Sequence, residues 1–214
     1  NVEFHARIIS QKYIQRELGG GIIKTYPSGK KVCDWQVPKE WQLRSASIKT
    51  LKGDTILDSS EDILHVVNYS QPISGIFKTA NIIDHIHYSE ILPEAIPYRT
   101  SYYVKNWGFC CTKTIFDRIS QEEEVIIEID AQFADSEIEV LEYIVQGQSD
   151  KEILFSSYTC HPNMANDSLS GVILNLELAK ALSKRQCEFT YRFVFLPETI
   201  GPITYLSDHS TESI

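Results

Sequence analysis

Several chemistries are excluded by what this 214-residue chain lacks. It has no Gly-x-Ser-x-Gly sequence, so a serine nucleophile on a strand-to-helix elbow has no support. It has no Gly-x-Gly-x-x-Gly and no Walker A sequence, and Gly19-Gly20-Gly21 reads as a loop, not a phosphate cradle. Its five cysteines (Cys33, Cys110, Cys111, Cys160, Cys187) are odd in number and form no Cys-x-x-Cys pair. That excludes a disulfide framework and a four-cysteine zinc site, and predicts reduced thiols in a cytoplasmic protein. Basic residues are in deficit, 20 against 29 acidic, for a net charge of -9. A nucleic-acid or anionic-membrane binder needs a basic face, so neither is expected as a partner. No run approaches the roughly 18 apolar residues of a membrane span. Residues 1–18 also lack the apolar core of a signal peptide. The chain starts at Asn1 and not at Met, and stops soon after a predicted helix, so a fragment of a longer protein is expected.

What is present suits a folded domain. The chain is 43% hydrophobic and 23% charged, enough apolar material for a sizeable core. Val2, Phe4, Ile8, Ile9, Tyr13 and Ile14 recur at loosely helical spacing, and the glycine triplet ends that helix. Residues 22–26 and 31–37, around Pro27-Ser28-Gly29-Lys30, predict a hairpin. From Trp41 to about Phe77 the character is all-β, with short strands at 45–51, 55–57 and 65–69. Thr79 is expected to cap a short helix to His85, and Thr112 a second to Ile119. Residues 89–106 are rich in Pro and Tyr and predict irregular chain; the aromatic cluster from Tyr98 to Tyr103 is expected to pack rather than line a cleft.

The style changes after Glu124. Strands are predicted at 125–129, 138–145, 153–158 and 191–196, with helices at 169–182 and 199–206. The run Ile153-Leu154-Phe155-Ser156-Ser157-Tyr158 reads as a buried strand. Tyr191-Arg192-Phe193-Val194-Phe195-Leu196 is nearly continuously apolar, as buried parallel strands are. Alternating strands and helices predict an α/β fold with a mainly parallel sheet.

Three residues stand where such folds place their chemistry. His161 follows one strand, Asp167 opens the next helix, and Glu198 follows the next buried strand. Open α/β sheets bind ligands at the carboxyl ends of their strands. His and Asp are common zinc ligands, and a carboxylate in Glu198's place could deprotonate a metal-bound water. Plainer roles exist for each: Asp167 as a helix N-cap, Glu198 as a first-turn acid, His161 packed on Pro162. His85 and His87 share no helix face, and His5, His65 and His209 stand alone, so none of these is expected as a ligand.

At these residues the chain resembles a known family. The phrases Asp34-Trp35-Gln36-Val37-Pro38, Leu64-His65-Val66-Val67-Asn68-Tyr69-Ser70, Ile96-Pro97-Tyr98-Arg99-Thr100-Ser101, Thr159-Cys160-His161-Pro162, Ala165-Asn166-Asp167-Ser168-Leu169-Ser170-Gly171 and Pro197-Glu198-Thr199-Ile200-Gly201 are similar to bacterial aminopeptidase-like proteins. That family is related to the co-catalytic zinc aminopeptidases, and its genes often accompany polysaccharide biosynthesis genes. The resemblance implies a phosphorylase/hydrolase-like three-layer αβα sandwich, partial here, with an inserted β-rich subdomain. Residues 1–39 and 111–214 would form the peptidase-like domain and 40–110 the insert. By the same resemblance His161 and Asp167 are zinc ligands and Glu198 is the general base. The pattern departs at Asn163, where aminopeptidases have the Asp of His-x-Asp, and at Thr199, where they have a second Glu. One zinc ion is therefore expected rather than two, with further ligands beyond Ile214. The expected function is zinc-dependent hydrolysis of an amide in a small peptide or similar substrate. The rival expectations are a catalytically degenerate binding or dimerisation module, hence a homo-oligomer, and an inactive fragment.

Overall fold

The computed structural model describes residues 11–102, 104–159 and 165–209. Helix α1 (Gln11–Leu18) leads into β1 (Ile22–Pro27), the two-residue strands β2 (Lys31–Val32) and β3 (Trp35–Gln36), and the long β4 (Glu40–Thr50). Then come β5 (Thr55–Asp58), β6 (Ile73–Lys78), α2 (Thr79–Ile82), β7 (Ile86–His87) and β8 (Phe109–Cys110). The chain continues through α3 (Lys113–Ser120), β9 (Glu124–Ala134), β10 (Glu137–Val145), β11 (Glu152–Tyr158), α4 (Ser170–Leu182), β12 (Thr190–Leu196) and α5 (Ile200–His209). The result is a mixed α/β protein that divides into two compact units, one of residues 41–134 and one that joins the preceding and following segments.

The first unit is built on a sheet of order β5-β4-β9-β6. Side chains alternate along β9: Val125, Ile127, Ile129 and Ala131 are buried, whereas Glu128 and Gln132 are exposed. Period two is what a sheet with one covered face demands. The strand foreseen at 125–129 thus pairs with β6, in register from Ile73↔Ile129 to Lys78↔Glu124, and belongs to this sheet. Trp41, Leu43, Ile48, Ile82, Phe109 and Ile119 fill the core beneath it. Thr112 caps α3, accepting a hydrogen bond from the Ile115 N–H at 3.4 Å. Thr79 is instead the first residue of α2, whose N-cap is Lys78. No strand forms at 65–69; a tight turn at Ile63–His65 and isolated bridges to Phe109 and Thr100 replace it. His65 is 3% exposed, and its Nδ1–H donates to the Cys110 carbonyl at 2.8 Å, a core histidine with its polarity satisfied. Tyr69 and Tyr102 meet edge-on at 4.9 Å, with Trp41 stacked 6.2 Å from Tyr69, so these aromatics pack on one another.

The second unit contains a sheet of order β1-β10-β12-β11. Only the β11–β12 pair is parallel; β1–β10 and β10–β12 are antiparallel, which corrects the expectation of a mainly parallel sheet. Apolar runs look alike in either sense, and the connections decide. Residues 146–151 are too few for a crossover helix, so β11 must run opposite to β10. The α4 segment between β11 and β12 is long enough, and that pair is parallel. The hairpin foreseen from β1 is also absent: β1 pairs with β10, and the only local pairing is β2 with β3. Ser28 ties the start of this segment to its end, its N–H donating to the Ser136 carbonyl at 2.8 Å and its hydroxyl to the Pro38 carbonyl at 2.8 Å. Lys39 and Asp135 form an ion pair at 3.1 Å.

Both faces of this sheet are covered. Leu141, Phe193 and Phe195 pack with Ile14 of α1 and Val172 and Ala179 of α4. Val140, Val194 and Leu196 point the other way and pack with Tyr205 of α5 and with Val32 and Val37. Helices therefore flank the sheet on two sides, as a three-layer sandwich requires. On the α5 face lies a polar group that no sequence pattern announced. Glu142, 5% exposed, takes the Tyr205 hydroxyl and a 2.9 Å ion pair from Arg192, whose other nitrogens hold Glu152 in a two-pronged bond at 2.8 and 2.9 Å. Strand β11, read from sequence as buried, is half open: Ile153 is 38% and Leu154 53% exposed. An apolar β run carries no mark of how many of its faces are covered.

Candidate functional site

Strands β11 and β12 run side by side until Tyr158 meets Leu196. The Thr159 N–H extends the pairing by one bond, 3.0 Å to the Leu196 carbonyl. Past that point the two chains part. The segment after β11 goes to α4 on one face, and the segment after β12 goes to α5 on the other. Parallel neighbours whose following helices take opposite faces leave a crevice between their ends, the switch point where α/β proteins bind ligands.

Asp167 stands on the β11 side of that crevice. It lies in an irregular turn, Ala165–Leu169, in an extended conformation (φ -117°, ψ 98°), and it is exposed. Helix α4 begins after it, with Leu169 as N-cap and no side-chain capping bond. The turn is tied to the strand by Ser168, whose hydroxyl donates to the Tyr158 carbonyl at 2.6 Å. Ser170 binds within the turn, 2.6 Å to the Asn166 carbonyl. Thr159 is held from a third element: the buried Gln11 of α1 donates its amide to the Thr159 hydroxyl at 2.9 Å.

Glu198 stands on the β12 side, also exposed. Thr199 follows it at φ 58°, a left-handed conformation rare for a β-branched residue. The Ile200 N–H donates back to the Glu198 carbonyl at 2.6 Å, so the chain reverses within three residues. Gly201 then brings α5 down onto the strand end; a Cβ there would lie 2.9 Å from the Leu196 Cβ. Strained backbone of this kind concentrates at functional sites.

Of the three residues singled out by sequence, two carboxylates therefore stand at one end of neighbouring strands. His161 lies outside the described residues. Among the described residues no group of three or more His, Cys, Asp or Glu side chains is placed to hold a metal ion. The Asp167 and Glu198 carboxylates are of the oxygen type that zinc accepts as ligands. His209 lies elsewhere, at the end of α5, against the Tyr205 carbonyl and Lys24. His85 stacks on Trp107 at 4.2 Å, and burial, then Arg99 and His85, hold His87 below the ordinary histidine range. The roles of Ser168 and Gln11 and the backbone conformation of Thr199 escaped sequence reading, because a backbone-directed hydroxyl, one buried amide and a positive φ leave no periodicity.

A family model described as a domain of unknown function, DUF4910, matches residues 9–213. The chain belongs to this family. A curated Clostridium acetobutylicum protein, provisionally named a polysaccharide biosynthesis protein with aminopeptidase-like domain, is 43% identical over 180 residues. The match covers 84% of this chain and 41% of that protein. A crystal structure of a provisional peptidase from the same organism superposes with a TM-score of 0.86 at 40% identity, over 94% of this chain and 47% of that one. The DUF4910 chain thus spans less than half the length of these relatives. More distant structures share the fold alone. A Bacillus subtilis zinc aminopeptidase matches at TM-score 0.53 and 13% identity, over 95% of this chain and 57% of its own. A Shewanella amazonensis peptidase M28 precursor matches at 0.55 and 13%, over 94% and 62%. The fold is aminopeptidase-like, and no helix among the described residues is long and apolar enough to cross a membrane.

Proposed function

We propose that the protein containing this chain is a zinc-dependent amide hydrolase acting on a small peptide or similar amide. The observation that carries the reading is the register of Tyr158 with Leu196, which sets the Asp167 turn and Glu198 at one end of adjacent parallel strands. His161 and Asp167 hold one zinc ion, joined by ligands from the part that longer relatives have in addition. Bound zinc supplies a polarised carbonyl and a water of lowered pKa. Glu198 takes the proton of the attacking water and delivers it to the leaving amine. Its exposure suits this work, because a base at a crevice mouth reaches both solvent and substrate. The excess of acidic residues disfavours nucleic acid as a partner, and the free thiols of Cys33, Cys110, Cys111 and Cys187 suit the cytoplasm.

Metal analysis of the protein after equilibration with zinc, combined with hydrolysis of aminoacyl anilides and amide-linked sugars, tests the reading. One bound zinc, weakened by His161→Ala and Asp167→Asn, and turnover lost in Glu198→Gln are the expected results. A folded protein that ignores both zinc and chelators would leave the fold as a binding module.

A further inference from the structure

Two short contacts fix the protons on His209, the last residue of α5. Its Nδ1 lies 2.7 Å from the Tyr205 carbonyl, and its Nε2 lies 3.1 Å from the Lys24 ammonium of β1. A carbonyl only accepts, so Nδ1 carries the hydrogen. An ammonium only donates, so Nε2 presents its lone pair. The ring is therefore neutral, and each nitrogen has one role. Its face packs on the Tyr205 ring, with centroids 4.0 Å apart.

The surroundings define what a second proton does. Nε2 is 3.9 Å from the Glu142 carboxylate of β10, and Lys24 is 3.6 Å from the same oxygen. The Tyr205 hydroxyl and Arg192 of β12 also engage Glu142. Glu152 of β11 takes Arg192 and lies within electrostatic reach of His209. Asp208, the preceding residue, is held by Lys30 at 2.8 Å. A protonated Nε2 has no lone pair left, so the Lys24 bond breaks and two cations are left in contact. The imidazolium keeps two favourable neighbours, the Glu142 carboxylate and the C-terminal end of α5, where positive charge is stabilised. Lys24 is 33% exposed, and its flexible stem can carry the ammonium into water. Of the two cations, Lys24 is the one that leaves.

We infer that His209 is a proton switch between α5 and β1: neutral, it latches Lys24; protonated, it gives up Lys24 and pairs with Glu142. In the described sheet β1 is an edge strand beside β10. The switch therefore controls a charged tie from that edge to the helix above it.

Imidazole nitrogen NMR of the intact chain, with the lysine side-chain signals followed alongside, reads both halves of the switch. Histidine is the side chain that changes charge between about pH 5 and about pH 8, so spectra are compared across that range. At the alkaline end His209 is expected as the Nδ1–H tautomer. At the acid end both nitrogens carry hydrogen, and the Lys24 signal, assigned by its loss in Lys24→Met, shifts with the same midpoint. His209→Gln is expected to abolish that Lys24 shift. An Nε2–H tautomer at the alkaline end, or a Lys24 shift that persists in His209→Gln, overturns the switch. The tautomer is read in the wild-type protein, so it decides the matter even where a variant fails to fold.

Discussion

The Tyr205 hydroxyl donates to the buried carboxylate of Glu142, across the interface between α5 and β10. Burial alone would raise the Glu142 pKa, but this bond, the Arg192 guanidinium and Lys24 outweigh it and hold the group below the ordinary carboxylate range. A carboxyl whose pKa is depressed by folding contributes stability above its unfolded value, near 4.3. That stability disappears as pH falls through the lower, folded value. Glu142→Gln is therefore expected to lose about 3 kcal/mol at pH 7, the usual cost of breaking a buried pair from one side. Its urea midpoint should also depend less on pH below about 4 than that of wild type. Equal acid sensitivity in the two proteins would refute this account.

Thr199 holds φ 58° with a β-branched side chain exposed to solvent. Glycine adopts that conformation without a Cβ clash. Thr199→Gly should therefore raise stability by about 1 kcal/mol, the lower end of what such backbone strain costs. Denaturant unfolding of the pair of proteins measures it directly, and a loss of stability would show that Thr199 makes a contact worth more than its strain.

Gly147 approaches β12 so closely that a Cβ would lie 2.2 Å from the Phe189 carbonyl carbon. Backbone cannot yield as a flexible side chain can. Gly147→Ala is expected to cost about 3 kcal/mol, the upper range of overpacking penalties, and to lower the yield of soluble protein. Thermal unfolding without a downward shift would contradict the geometry.

Cys110 and Cys111 are fully buried, and burial pushes both thiols up to about 12. The thiolate is the reactive form, so iodoacetamide at pH 8 should leave both unmodified in folded protein while alkylating the exposed Cys33. Peptide mass mapping before and after urea addition distinguishes the classes; labelling of Cys110 without denaturant would count against the core packing described above.

Much of the local structure could be read in advance. The apolar run that became β12, the helix that became α4 and the Thr112 cap all follow from periodicity and capping rules that act within a few residues. The carboxylate pair could be anticipated because Asp167 and Glu198 each follow a strand. What escaped was non-local. Strand sense in β10 and β11 depends on the length of the connection between them, the partner of β1 lies more than a hundred residues on, and β9 joins β6 rather than the later strands. Within the site, Ser168 matters through a backbone oxygen ten positions away and Thr199 through a dihedral angle. Neither effect depends on residue patterning, so no pattern could disclose it.

The ties at Ser28–Ser136 and Lys39–Asp135 bring together the two points where the chain leaves the second unit and returns to it. In chain order, residues 41 to 134 thus interrupt the second unit between two points that its own bonds hold together. A gene can shorten, exchange or delete such a module and rejoin the ends with a few residues, while β1, β10, β12 and β11 keep their pairing. A change in the length of residues 41–134 need not disturb the register of the four strands of the second unit.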